Sequence, residues 1–217
     1  MTKIRGILFD LDGVLINSEP LYTRFWQQID VIYPTRVENF AHVIKGNTLS
    51  KILSTYFPTD IHADITSRLL QFEQTAEYPP FPDAFALLSK LRSLRLKIAL
   101  VTSSNNDKMT NLYAQHPHFK AQFDAIVTAD DVTLSKPDPQ GYLIATQRLG
   151  LNPTNCIVVE DSPAGLDAGR NSGAFVCGLA TTVSAEKILH RCDVLLNSVA
   201  DLVKVVTNIN STQKSFA

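Results

Sequence analysis

Apolar residues gather in short unbroken runs: Ile4 to Phe9, Lys97 to Val101, Ala125 to Val127, Cys156 to Val159, Phe175 to Leu179 and Val194 to Leu196. None alternates apolar with polar positions, so each reads as a strand buried on both faces, the pattern of a parallel sheet. Segments of helical period lie between the runs and predict helices at 84–94, 107–114, 141–149, 164–172 and 199–206. This alternation predicts an α/β fold, a doubly wound parallel sheet of Rossmann type with helices on both faces. Between the first two runs the pattern changes, and residues 16–82 predict only helices, at 20–29, 37–44, 49–56 and 61–75. That segment reads as a small α-helical cap domain inserted into a core made of residues 1–15 and 83–217. Pro79-Pro80-Phe81-Pro82 closes it as a stiff return linker, because proline fixes φ and excludes helix. The polar tail from Thr207 to Ala217 reads as frayed.

Polar residues interrupt this pattern at the ends of the runs. Asp10 and Asp12 follow the first, Thr102-Ser103-Ser104 the second, Lys136 comes soon after the third in LSKPDP, and Glu160-Asp161 closes the fourth in IVVEDSPAG. Parallel strands bring such ends to one carboxyl edge, where open α/β folds bind their ligands. Carboxylates gathered there repel one another and are driven to protonate unless a cation joins them. An oxygen-only set without His or Cys favours Mg²⁺, a hard ion held by carboxylates together with a substrate phosphate. Lys136 then faces the remaining charge of that phosphate. Gly13 marks a backbone already turning, so Asp10 and Asp12, which a straight strand would aim the same way, can take different roles.

FDLDGVL, the strand-ending Thr102, SKPDP and VVEDSPAG, in this order and with a helical insertion after the first, resemble the four signatures of the haloacid dehalogenase superfamily. The nearest likeness is to its capped phosphatase and β-phosphoglucomutase-like branch. The resemblance implies that Asp10 is the nucleophile, forming an aspartyl-phosphate, and that Asp12 is the general acid and base. It implies that Thr102, Ser103 and Lys136 bind the transferring phosphoryl group. Asp161 would ligate Mg²⁺ with the Asp10 carboxylate and the Asp12 backbone carbonyl, and Glu160 would stand beside them as ligand or support. Because its side chain is off the metal, Asp12 could stay protonated and serve as an acid.

The cap departs from the branch pattern. Where relatives often read DSEPLH, this chain has Asn17-Ser18-Glu19-Pro20-Leu21-Tyr22, without the acid and the histidine. Lys45-Gly46-Asn47-Thr48-Leu49 keeps the Lys-Gly pair but offers Leu49 where mutases of the branch carry an arginine for a second phosphate. The expectation is therefore a Mg²⁺-dependent phosphatase acting on a small phosphorylated metabolite, with Lys45, Asn47 and Asn105 as substrate contacts. A phosphosugar mutase and a non-catalytic phosphometabolite-binding protein are the alternatives. Carbon–halogen hydrolysis is disfavoured because that chemistry does not use the second acid, Asp12.

Composition narrows the picture by exclusion. Lys plus Arg is 20 against 21 for Asp plus Glu, a net charge of −1, which gives no broad field for nucleic acid or an anionic membrane. No apolar stretch approaches the ~20 residues needed to span a bilayer. The opening Met1-Thr2-Lys3-Ile4-Arg5 runs straight into a strand-like segment, and Cys156, Cys177 and Cys192 form no CxxC pair. A cytoplasmic monomer with buried or incidental thiols is expected. Gly165, Gly169 and Gly173 lack the GxGxxG spacing and read as close helix packing. His116 and His118 lack a third ligand and read as a turn, and Phe25 and Trp26 read as cap packing.

Overall fold

The computed structural model describes residues 2–212. Its strands are β1 (Gly6–Phe9), β2 (Lys97–Val101), β3 (Ala125–Val127), β4 (Cys156–Glu160), β5 (Phe175–Leu179) and β6 (Val194–Leu196). They form one parallel sheet in the order β3-β2-β1-β4-β5-β6, so β1 and β4 lie side by side at the centre where the order reverses. Each of the six apolar runs has become a strand, and the fourth runs one residue further, to Glu160.

The remaining elements are α1 (Glu19–Ile32), α2 (Phe40–Val43), α3 (Leu49–Tyr56), α4 (His62–Thr75), α5 (Ala84–Ser93), α6 (Asn106–Gln115), α7 (Gln140–Leu149), α8 (Pro163–Ser172), α9 (Ala185–Ile188) and α10 (Leu202–Thr212). Successive strand residues point to opposite faces, which divides the core into two apolar layers. Ile7, Phe9, Ile98, Leu100, Ile157 and Val159 pack beneath α5, α6 and α10. Leu8, Ala99, Val101, Val158 and Val176 pack beneath α7 and α8. Burial on both sides is what the unbroken runs signalled, at ~1.5–3 kcal/mol for each large aliphatic or aromatic side chain removed from water.

Helices α1 to α4 enclose a separate apolar cluster of Phe25, Trp26, Ile29, Phe40, Ile44, Ile52, Leu53, Ile65 and Leu69. Phe25 and Trp26 meet edge to face at 5.1 Å inside it, so they are packing residues, as expected. One expectation fails at the other end of the chain. Residues 207–212 continue α10 rather than fray, because Ile209 packs on the core and the Asn210 side chain accepts from Ile4 N at 2.8 Å and donates to Ile4 O at 3.2 Å. The remainder of that expected tail, 213–217, lies outside the described residues. The three cysteines are buried and free. No described helix is long and apolar enough to cross a membrane.

Candidate active site

The carboxyl edge of the sheet opens into a cavity of about 940 Å³ between the strand ends and helices α1 to α4. Its walls include Asp10, Asp12, Ser103, Lys136 and Asp161 from the sheet side, and Lys45 and Asn47 from the helical side, with Asn105 at the start of α6.

Lys136 reaches from its loop to the two central strands. Its Nζ donates to Asp10 Oδ1 at 2.5 Å, to Glu160 Oε1 at 2.6 Å and to the Val101 carbonyl at 3.3 Å. Burial disfavours its charge, but the facing carboxylates of Asp10 and Glu160 outweigh that and hold its pKa well above the ordinary lysine value. Glu160 is wholly buried and fully engaged. Its Oε1 also accepts from the Tyr142 hydroxyl at 2.9 Å, and its Oε2 accepts from Asp161 N, Ser162 N and the Ser162 hydroxyl at 3.0 to 3.1 Å. A carboxylate has about four lone-pair positions, so Glu160 is saturated and acts as the mount for Lys136. Gly165 makes this possible: a Cβ there would lie 1.8 Å from Glu160 Oε1.

Asp10, Glu160 and Asp161 bring oxygens within 4.8 Å of one another, a group that could hold a metal ion, with the already engaged Glu160 as its support. Burial raises the Asp10 carboxyl to about 8, with Lys136 opposing and Glu160 and Asp12 adding to the rise. Burial, then the charges of Glu160 and Asp10, push Asp161 well above the usual carboxylate range. This is the strain of an acidic group short of positive charge, and an oxygen-only set of this kind suits a hard divalent cation. Asp161 Oδ2 is steadied by the Thr182 hydroxyl. Gly13, at φ +78°, is the turn that brings the β1 loop against it, and a Cβ there would lie 1.8 Å from that same oxygen.

Asp12 faces the other way, which separates its role from that of Asp10. Lys108 Nζ donates to both of its oxygens at 2.7 Å, Ser104 donates at 3.1 Å, and Ser18 donates as well. Burial alone would raise this carboxyl, but Lys108 and the hydroxyls outweigh it and leave the pKa below the ordinary value. The expectation that Asp12 stays protonated is therefore corrected for the free protein: every partner is a donor, and donors favour the carboxylate.

Several expected contacts are otherwise engaged. Thr102 is buried, its hydroxyl oxygen accepting from Ser104 N at 3.0 Å. Ser103 donates to the Gly46 carbonyl at 2.9 Å, joining the sheet edge to the helical segment, as does the 2.6 Å contact of the Thr48 and Ser135 hydroxyls. Lys45 is paired with Glu19. Asn47 donates to Ile44 O at 3.0 Å within its own turn, and Asn105 caps α6 by accepting from Lys108 N at 2.9 Å. Asn17 is exposed and does not line the cavity. His116 contacts the Tyr78 carbonyl at 2.7 Å, and His118 is exposed, consistent with a turn. Gly169 lies against Val158 and Val176, the expected close packing of helix on sheet, whereas Gly173 packs on nothing and instead ends α8 at φ +83°.

Sequence reasoning missed Lys108, Glu19 and Glu73. Lys108 stands one turn before Leu112 on the buried face of α6, and that spacing of four was the available signal.

A family model for haloacid dehalogenase-like hydrolases matches residues 4–173. The validoxylamine A 7'-phosphate phosphatase of Streptomyces hygroscopicus subsp. limoneus is 32% identical over 209 residues, covering 90% of this chain and 94% of that protein. Hexitol phosphatase A of Escherichia coli (strain K12) is 30% identical over 211 residues, covering 92% and 94%. Among solved structures, β-phosphoglucomutase from Clostridium difficile shares the fold, with a TM-score of 0.77 at 22% identity over 99% of this chain and 100% of that one. With the strand-end acids, Lys136 and the helical insertion in place, the chain belongs to the haloacid dehalogenase-like hydrolase family.

Proposed function

We propose that this protein is a Mg²⁺-dependent phosphatase that hydrolyses phosphomonoesters of small metabolites, sugar phosphates foremost, through an aspartyl-phosphate on Asp10. The observation that carries this reading is the Asp10–Lys136–Glu160 network at the cavity floor. It sets a carboxylate oxygen beside a fixed ammonium, where a phosphoryl group can be held by its charge. Relatives named as phosphatases at 30% and 32% identity support hydrolysis of a phosphate ester.

In this reading an Asp10 oxygen attacks phosphorus and the bond from phosphorus to the alcohol oxygen breaks. Asp12 takes up a proton as the ester binds, gives that proton to the leaving oxygen, then takes one from the water that opens the aspartyl-phosphate and frees inorganic phosphate. Lys108, Ser18 and Ser104 fix the orientation of Asp12 and favour the ionised form that takes the proton from water. Lys136, Thr102 and Ser103 bind the phosphoryl oxygens. Asp10, Asp161 and the backbone carbonyl of Asp12 would hold Mg²⁺, with Glu160 behind them. When bound, the ion neutralises phosphoryl charge and aligns the ester. We assign residues 16–82 to the cap, supported by the bridge of Ile16 to Pro80 where the segment leaves and returns. Lys45 and Asn47 from the cap and Asn105 from α6 are the further polar contacts for substrate, and the enzyme acts as a cytoplasmic monomer.

Phosphate release with Mg²⁺ over a panel of phosphorylated metabolites tests the reading. Asp10→Asn should be slower by about 10⁴-fold. Rapid isomerisation of a sugar 1-phosphate with a trace of bisphosphate would instead make the protein a mutase. The pairing of Lys45 with Glu19 and the apolar Leu49 in the cavity wall weigh against that, since neither grips a second phosphate. A folded protein that turns over no phosphate ester would be a binder.

A further inference from the structure

The helical wall of the cavity contains an acid that lacks a counter-charge. Glu73, near the end of α4, is 6% exposed and lines the cavity. Tyr22 donates to its Oε1 at 2.8 Å, and the Tyr22 ring meets Phe72 edge to face at 5.3 Å, which fixes the carboxylate in place. Its second oxygen, Oε2, is buried and has no hydrogen-bond partner among the described residues. Of the other acids nearby, Glu19 is neutralised by Lys45 and Asp12 by Lys108, while Asp107, whose charge also acts on Glu73, is exposed at the start of α6. Lys108 lies 4.2 Å above the Tyr22 ring, but its ammonium is held on both oxygens of Asp12. Burial raises the Glu73 carboxyl above its usual value, the direction expected of a site short of donors. A buried carboxylate oxygen without a donor is destabilising, and because the Glu73 side chain lines the cavity, a turn of that carboxylate toward a ligand hydroxyl would supply the missing donor.

We propose that Glu73 is a specificity-determining residue whose Oε2 accepts a hydrogen bond from a hydroxyl of the substrate's alcohol portion, selecting monophosphates of uncharged polyols and sugars. This rests on the phosphatase reading and adds which esters the site refuses. A substrate bearing a second phosphate or a carboxylate brings like charge against Glu73. An alkyl phosphate leaves Oε2 unpaired, and sites built to pair a hydroxyl discriminate strongly against analogues that lack it. A hydroxyl suits this wall in either protonation state because it both donates and accepts. The cavity, about 940 Å³, has room for such a substrate above the phosphoryl site.

Calorimetry with Mg²⁺ on the Asp10→Asn protein, with and without Glu73→Gln, reads binding apart from turnover. The probes are sorbitol 6-phosphate, hexyl phosphate and phosphoglycolate. Sorbitol 6-phosphate should bind about tenfold or more tightly than hexyl phosphate, and Glu73→Gln should erase most of that ratio while improving phosphoglycolate relative to hexyl phosphate. A sorbitol-to-hexyl ratio that Glu73→Gln leaves intact overturns the proposal. So does a Glu73 protein that prefers phosphoglycolate or shows no preference for the polyol, a result that stands even if the Gln variant fails to fold. Phosphate release by the unaltered protein is judged separately: its absence from all three esters counts against the phosphatase reading, while the binding ratios decide the role of Glu73.

Discussion

Glu160 and Glu73 are both buried glutamates beside one cavity, and they differ in how far the protein satisfies them. Glu160 accepts hydrogen bonds from Lys136, Tyr142, Asp161 and Ser162 on its two oxygens, whereas Glu73 has one donor, Tyr22, on one oxygen. The sheet edge is organised before any ligand arrives, as electrostatic catalysis requires. The helical wall leaves an acceptor open. This contrast suits a division in which the strand ends perform chemistry common to the family and the cap chooses the substrate.

The strongest way to break the organised side is Lys136→Ala. It leaves Asp10 and Glu160 buried without their shared cation, so stability should fall by about 3–5 kcal/mol, the usual result of removing one partner of a buried ion pair. Phosphate release should fall by about 10³-fold if, as proposed, this is the cation that faces the phosphoryl group. Urea unfolding and a phosphate assay check the two effects, and a stable, active variant would remove Lys136 from the centre of the site. Gly165→Ala tests the same side more gently. Its methyl occupies the position of Glu160 Oε1, so Glu160 must shift and carry Lys136 with it. Displacement of about 1 Å in an oriented site lowers the rate by about 10²-fold, and a melting curve separates that loss from simple unfolding.

The same contrast explains what could be read from the chain. Strands were legible because burial on both faces demands unbroken apolar runs, and Asp10, Lys136, Glu160 and Asp161 were legible because they stand at or soon after the ends of those runs. Side chains whose role depends on what they meet across space were harder to see. Lys108 sits in NNDKMT, a polar stretch that reads as a solvated helix start, yet tertiary packing buries it against Asp12. Lys45, in the turn after α2, looked free for an anionic substrate because its partner Glu19 lies far back in the chain at the start of α1. The stretch from Thr207 onward read as a polar tail because its anchors are tertiary: Ile209 packs on the core and Asn210 reaches Ile4 at the far end of the sequence. Lys108→Met is the measurement that tests the missed residue. Without the ammonium, the Asp12 carboxyl rises, so the acidic limb of kcat, where the water step needs Asp12 ionised, should move to higher pH, with kcat at mildly acidic pH down about tenfold. An unmoved limb would place it on another group.

The smallest expected effect concerns the open side of the comparison. Burial raises the Glu73 carboxyl above its unfolded value of 4.5. The fold therefore favours the protonated form, and the stability this contributes is fully present below about pH 4.5 and is lost as pH rises through the higher folded value. Glutamine at this position cannot ionise and keeps an acceptor for Tyr22. The melting temperature of Glu73→Gln relative to the unaltered protein should accordingly climb as pH is raised from 4 upward, and sorbitol 6-phosphate should narrow the gap by giving the ionised Oε2 a donor. Parallel melting curves for the two proteins across pH, without a widening gap, would mean that the Glu73 carboxylate is already satisfied in the free protein, and the contrast with Glu160 would be lost.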